Sequence, residues 1–342
     1  MNDVRRKTVL VTGGSGFIGS WMIVALLQRG YTVRATVRNL NREAAVRTAI
    51  AKQIDPRERL SFFAADLLHD SGWGTALEGC DFVMHVASPM PAGEFKRIDI
   101  IRPAREGTLR VLKMALRANV SRVVLTSSLQ AALPSTGNAV NPTDEAIWTD
   151  LSGKTVTDYT RAKTLAEHEA WEFMDQQGRL MRLTTILPGM VLGPVLGPDY
   201  SPSVDLIARL LNGKVPFFPK VGFSIVDVRD LVELHIKGLE SPRAAGQRFI
   251  GTSDSLYFSE IANILRTHFA ARASKIRVRN LPDIVVRLLA HVSSDMRFLS
   301  SMLGKPRVFS TSKAAGLLGW NARPAKDTII GAAESITRDG LA

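Results

Sequence analysis

Two side chains of this sequence are spaced for proton transfer. In Tyr159-Thr160-Arg161-Ala162-Lys163 a phenol and an amine stand four residues apart, which on a helix places them on one face. A free tyrosine titrates near ~10, and a neighbouring cation lowers that value by stabilising the phenolate. Such a tyrosine can give a proton to a carbonyl oxygen as hydride reaches the carbon, or remove it in the reverse direction. A hydroxyl from elsewhere must orient that oxygen, and Val123-Val124-Leu125-Thr126-Ser127-Ser128 ends in two of them. Ser128 is expected to face the substrate with Ser127 nearer a cofactor, but a one-residue change in where the strand ends exchanges them.

A Tyr/Lys pair alone is commonly a surface accident, and a Ser-Ser pair after a strand is commonly a cap. Their weight comes from what precedes them. Val9-Leu10-Val11-Thr12-Gly13-Gly14-Ser15-Gly16-Phe17-Ile18-Gly19 sets G-x-x-G-x-x-G directly after a β-branched run and directly before an apolar helical pattern. Gly13 permits a tight turn, Gly16 lets the backbone approach a pyrophosphate, and Gly19 lets the helix pack closely. Free N–H groups at the helix start, from Phe17 and Ile18, would then hold phosphate oxygens.

The end of the second strand selects the cofactor. Thr32-Val33-Arg34-Ala35-Thr36-Val37-Arg38 carries no carboxylate to grip a ribose 2′-hydroxyl, and Arg38 offers a fork for a 2′-phosphate. NADPH is the expected cofactor, with Arg42 as a second cation; the plain alternative is an exposed arginine opening a loop. Asp66, followed by Leu67, ends the third strand and could accept the adenine amino group, or simply cap a helix. The fourth strand leaves through Val86-Ala87-Ser88, small enough for a dinucleotide to cross the strand ends.

The elements that must position these residues follow a repeated pattern. Strands are expected at Thr8–Thr12, Thr32–Val37, Leu60–Ala64, Phe82–Val86, Arg122–Thr126 and Thr184–Leu187, most of them apolar on both faces. Helices are expected between them at Phe17–Arg29, Arg42–Gln53, Pro103–Asn119 and Tyr159–Gln176. That alternation predicts an α/β fold, a doubly wound parallel sheet spanning residues 1–187. After Leu187 six prolines between Pro188 and Pro219 break the chain into loops. Helical patterns return at Val204–Leu211, Asp230–Leu239, Ser259–Phe269, Pro282–Ala290, Ser312–Leu318 and Ala325–Thr337. Residues 188–342 therefore read as a smaller, mostly helical substrate lobe, with segments such as 226–250 returning to the first unit.

Composition narrows the classes. Hydrophobic residues at 45% and charged residues at 22% are globular values, against a disordered or fibrous chain. Cys80 is the single cysteine, so no disulfide or thiolate cluster forms within the chain; a reducing, cytoplasmic location is expected. The histidines lack ligand spacing, and no metal is expected. A net charge of +12 is dispersed except for Arg5-Arg6-Lys7 and Lys275–Arg279, so nucleic acid is not an expected partner. The uncharged stretch Thr8–Gln28 could pass for a membrane anchor, but its four glycines favour strand, turn and helix, and no membrane partner is expected.

With these residues placed, the chain resembles the extended short-chain dehydrogenase/reductase family, and within it the dihydroflavonol-reductase-like, cinnamoyl-CoA-reductase-like and bacterial aldehyde-reductase group. The resemblance rests on Val11–Trp21 (VTGGSGFIGSW), Tyr31–Arg38, His85–Met90 (HVASPM), Val123–Ser128, Asp144–Leu151, Tyr159–Trp171, Leu187–Pro194 and Val226–His235. It implies a Rossmann domain with a C-terminal substrate lobe, a Ser128/Tyr159/Lys163 triad, a 2′-phosphate role for Arg38, and Pro188, Gly189, Met190 and Val191 beside the nicotinamide. It also implies a monomer or homodimer acting on a small carbonyl compound. Where relatives commonly have Ala-Gly-Thr or Ile-Gly-Ala after the serine, this chain has Leu129-Gln130-Ala131, a bulkier start expected to narrow or reshape the pocket and to weigh against flavonoid or cinnamoyl thioester substrates.

The expected activity is NADPH-dependent reduction of an aldehyde or ketone. A nucleotide-sugar epimerase or dehydratase retaining NAD would use the same triad, though Arg38 argues against it. A silent dinucleotide sensor is a third reading, which the presence of both Tyr159 and Lys163 disfavours.

Overall fold

The computed structural model describes residues 7–89, 100–134, 142–153, 156–272, 274–276, 278–293, 296, 299–300, 302–304 and 306–341. Arg5, Arg6, Arg277 and Met90, on which parts of the sequence reading fall, lie outside the described residues.

From the N-terminus the elements run β1 (Thr8–Thr12), α1 (Phe17–Gln28), β2 (Thr32–Val37), α2 (Glu43–Ala51), β3 (Leu60–Ala64), α3 (Trp73–Leu77), β4 (Phe82–His85), α4 (Ile101–Arg117), β5 (Arg122–Thr126), α5 (Asp158–Gln176) and β6 (Leu183–Pro188). These strands pair in parallel, in the order β6-β5-β4-β1-β2-β3. The order reverses between β1 and β4. There the connections diverge to opposite faces and open a crevice at the carboxyl ends of the strands. α1 is buried at Met22, Ile23, Val24, Leu26 and Leu27. Each such side chain stabilises the fold by about 1.5–3 kcal/mol relative to exposure, which accounts for the uncharged stretch as core. No helix among the described residues is long and apolar enough to cross a membrane.

The second half contains more strand than its sequence suggested. It runs β7 (Met190–Leu192), α6 (Pro202–Leu211), β8 (Phe218–Pro219), β9 (Gly222–Asp227), α7 (Val228–Glu240), β10 (Gln247–Gly251), β11 (Ser255–Tyr257), α8 (Phe258–His268), β12 (Asn280–Leu281), α9 (Asp283–Leu289), α10 (Ser312–Leu318) and α11 (Ala325–Arg338). β10 pairs in parallel with β6 as the seventh strand of the main sheet. β11, β9 and β7 form a small sheet, and β12 with β8 another. Four of these strands hold only two or three residues, too short for a period-two pattern to register. α7 packs under β5 and β6, and the Trp21 indole donates to the Pro194 carbonyl at 2.8 Å, tying α1 to the loop after β7.

Candidate active site

The carboxyl ends of β1 to β6 present, in turn, Gly13, Arg38, Asp66, Val86, the Ser127-Ser128 pair and the Pro188-Gly189 turn. At the first of these Gly13 takes φ +69°, and a Cβ on Gly19 would sit 2.2 Å from the Gly13 carbonyl oxygen, so the first turn of α1 folds against the loop only with glycine there. Gly13 also packs on Ala87 from the neighbouring strand exit. No side chain caps the N-terminus of α1 at Gly16, which leaves its leading N–H groups aimed at the crevice. Arg38 is exposed and has no ion-pair partner among the described residues. A cradle that a Cβ would fill, an uncapped helix start and a free cation beyond β2 fit a phosphorylated dinucleotide.

Thr12 fastens β1 to β4. Its hydroxyl oxygen accepts the N–H groups of Val86 and Ala87 at 3.0 and 2.9 Å, so its own proton goes to His85 Nδ1 at 2.9 Å. His85 therefore carries its hydrogen on Nε2, which is buried without a partner among the described residues. Burial, and the nearby Lys163, push this imidazole down to about 3, so it is neutral.

Tyr159 and Lys163 lie in the first two turns of α5. Thr157 caps that helix by accepting the Thr160 N–H at 3.1 Å, and Asp158 places a carboxylate in the first turn. The phenol lies beside the Ser128 hydroxyl. Ser128 Oγ accepts the Gln130 N–H at 3.2 Å. Burial pushes the Tyr159 phenol up, and the neighbouring Ser128 hydroxyl offsets this in part. The expected lowering by Lys163 is absent in the protein alone; desolvation governs. Lys163, only 8% exposed, is itself pushed down to about 8 by burial, against the field of Glu167. Its neighbours Ala87, Ser88, Thr126 and Ser127 line one small cavity with it.

Other expected contacts are redirected. The Ser127 hydroxyl turns from the crevice and donates to Glu167 Oε2 at 2.5 Å. The Thr126 hydroxyl bonds His235 Nε2 at 2.8 Å, because His235 Nδ1–H is spent on the Leu231 carbonyl. Arg42 pairs with Asp199 and so is not a free second cation. Asp66 accepts the Leu68 N–H at 2.8 Å, a local turn that leaves its other oxygen, while Leu67 packs against Gly107 of α4. Pro188 is buried at the end of β6, the Gly189 N–H donates to Gly251, and Val191 sits in the small sheet opposite Val226. Leu129 is buried with Ala132, Leu187 and Ile250. Gln130 instead reaches α5, its side-chain oxygen accepting the Thr160 hydroxyl at 2.7 Å.

A wider depression of about 510 Å³, lined by residues including Asp144, Gln247, Arg248 and Lys313, lies beside the start of β10, away from the carboxyl ends of the strands. Sequence reasoning missed the buried pair behind the site, Glu167 with Arg248; the available signal was a glutamate one turn beyond Lys163 on the same face.

Residues 9–250 match the model of the NAD dependent epimerase/dehydratase family. The chain is 38% identical over 267 residues to cinnamoyl-CoA reductase CAD2 of Medicago truncatula, covering 76% of this chain and 80% of that one. It is 35% identical over 274 residues to tetraketide alpha-pyrone reductase 1 of Arabidopsis thaliana, covering 78% and 82%. Among solved structures, vestitone reductase from alfalfa superposes with a TM-score of 0.76 at 26% identity, over 98% of this chain and 99% of that one. Yeast methylglyoxal/isovaleraldehyde reductase Gre2, complexed with NADPH, gives 0.77 at 22% identity over 98% and 100%, a likeness of fold. The chain belongs to the NAD dependent epimerase/dehydratase family, the extended short-chain dehydrogenase/reductases. It is accordingly an NAD(P)-dependent oxidoreductase.

Proposed function

We propose that the protein is an NADPH-dependent carbonyl reductase that converts an aldehyde or ketone to the alcohol, with Tyr159 as proton donor. The observation that carries this reading is Tyr159 set beside Ser128 at the strand ends, with Lys163 one helical turn on. Reductases among the relatives support the reaction class, and the free guanidinium of Arg38 supports a 2′-phosphorylated cofactor. Gly13, Gly16, Phe17, Ile18 and Gly19 would hold its pyrophosphate, Asp66 and Leu67 its adenine end, and Ala87, Ser88, Pro188, Gly189 and Val191 the other end. Residues 188–342, apart from β10, would shape the substrate pocket.

Bound there, the nicotinamide supplies the hydride. A carbonyl oxygen between Ser128 and Tyr159 accepts two hydrogen bonds, which fix its lone pairs and favour negative charge on it. Because burial raises the phenol, Tyr159 stays protonated at neutral pH and is a donor. It transfers its proton to the oxygen as carbon is reduced, and the Lys163 ammonium then stabilises the phenolate left behind. Lys163 performs this while cationic, below about pH 8.

Tyr159→Phe tests the reading. Consumption of NADPH across a panel of aldehydes and ketones should fall by about 10²-fold or more, with cofactor binding, followed by fluorescence titration, unchanged; full turnover by the variant overturns it.

A further inference from the structure

Every fourth side chain along one row of α5 is polar or aromatic: Tyr159, Lys163, Glu167, Trp171. The third is a carboxylate at 1% exposure, a position that requires compensation for lost hydration. It has five hydrogen bonds from four residues. Arg248 donates from Nε to Oε1 at 2.8 Å and from Nη2 to Oε2 at 3.3 Å. The hydroxyls of Thr185 and Ser127 donate to Oε1 and Oε2 at 2.7 and 2.5 Å, and the Trp171 indole N–H to Oε1 at 3.3 Å. Arg248 in turn donates to the carbonyls of Glu145, Ile147 and Ala131 at 2.7, 3.0 and 3.4 Å, and lies 3.6 Å from the ring centroid of Trp148. One anion thus gathers β5 through Ser127, β6 through Thr185 and β10 through Arg248 onto α5, the helix bearing Tyr159.

We propose that Glu167, fixed by Arg248, is a positioning residue for the reaction proposed above: it turns Ser127 inward so that Ser128 alone meets Tyr159, and it sets a negative charge one helical turn from Lys163. The inference rests on the Tyr159 reading only for its catalytic consequence. A structural ion pair would hold the packing whatever its sign; this arrangement also favours the ammonium form of Lys163. Burial favours the free amine, and Glu167 opposes burial. Among the described residues, the other titratable groups on that side are Tyr159 on the same helix, His85 from β4, which is neutral, and Arg248 from β10 beyond Glu167. α4, packed along α5, contributes Thr108 to the lining around Lys163.

Glu167→Gln keeps the shape and removes the charge but strands Arg248, so the double variant Glu167→Gln/Arg248→Met, which leaves neither charge alone, is made beside it. Lys163 is titrated directly in each full-length protein by trace acetylation with acetic anhydride across pH, read by mass spectrometry, which needs no turnover. The parent should give a midpoint near 8, and the folded double variant one lower by about one unit. The alkaline limb of kcat should move down by the same amount while KM for the carbonyl holds. An unmoved Lys163 midpoint in the folded double variant overturns the proposal. Full turnover by Tyr159→Phe would instead remove the catalytic reading and leave the Lys163 shift in place, so the two failures are distinct.

Discussion

Ser127 and Ser128, neighbours in the chain, face different residues of one helix: the Ser127 hydroxyl donates to Glu167, and Ser128 lies beside Tyr159, two turns apart on α5. Successive side chains of extended backbone point to opposite sides, and Ser128 retains an extended backbone as the chain leaves β5. The pleat therefore assigns one serine to the crevice and the other to the interior.

That division predicts unequal losses. Ser128→Ala should lower kcat by about 10²–10³-fold, the cost of one donor to a developing oxyanion. Ser127→Ala, which deletes one of several bonds to Glu167, should cost much less. Steady-state rates under saturating NADPH compare them, and equal losses would show that the hydroxyls do not divide in function.

Arg38 is exposed beyond β2, with no ion-pair partner among the described residues. A charge-assisted contact of about 1.5–3 kcal/mol to a 2′-phosphate makes Arg38→Ala weaken NADPH roughly 10- to 100-fold and NADH little. Calorimetric titration with both cofactors reads the ratio, and parallel weakening of the two would defeat the phosphate assignment.

Two buried histidines give the fold an acid limit. Burial pushes His85 down to about 3 and His235 to about 4, the second against its bond to the Leu231 carbonyl, which raises it. Unfolded, each would take a proton near its ordinary ~6.5. Between 6.5 and those lower values the unfolded chain binds more protons than the native one, so stability is full above about pH 6.5 and declines as pH falls. Each histidine should contribute up to about 1.4 kcal/mol of loss per pH unit once well below that value. Urea unfolding at pH 7.5 and 5.5 measures this, and a His235→Gln variant should show a shallower decline; identical slopes would show that His235 titrates freely.

The parallel sheet is legible because buried strands such as Val9–Val11 and Val123–Leu125 are apolar on both faces, a pattern complete within five residues. The glycine turn and the Tyr159/Lys163 spacing are equally local. The small sheet of β7, β9 and β11 is not, because its pairs join residues 31 to 35 positions apart through segments that alone resemble loops. The same holds of Glu167 and Arg248, separated by 81 residues: neither residue type announces a partner, and only the folded sheet brings them together. The lowered phenol expected of Tyr159 fails for a physical reason, since spacing on a helix reports a neighbour but not how far water is excluded from both groups.

β10 returns to the first sheet after β7, α6, β8, β9 and α7, and it carries Arg248 with it. A fragment cut after β6 would expose a raw sheet edge and leave an unneutralised carboxylate in its interior. The two halves are for this reason not separable modules: exchanging the C-terminal half between relatives, as a route to new substrates, must carry this one strand across with its arginine in register.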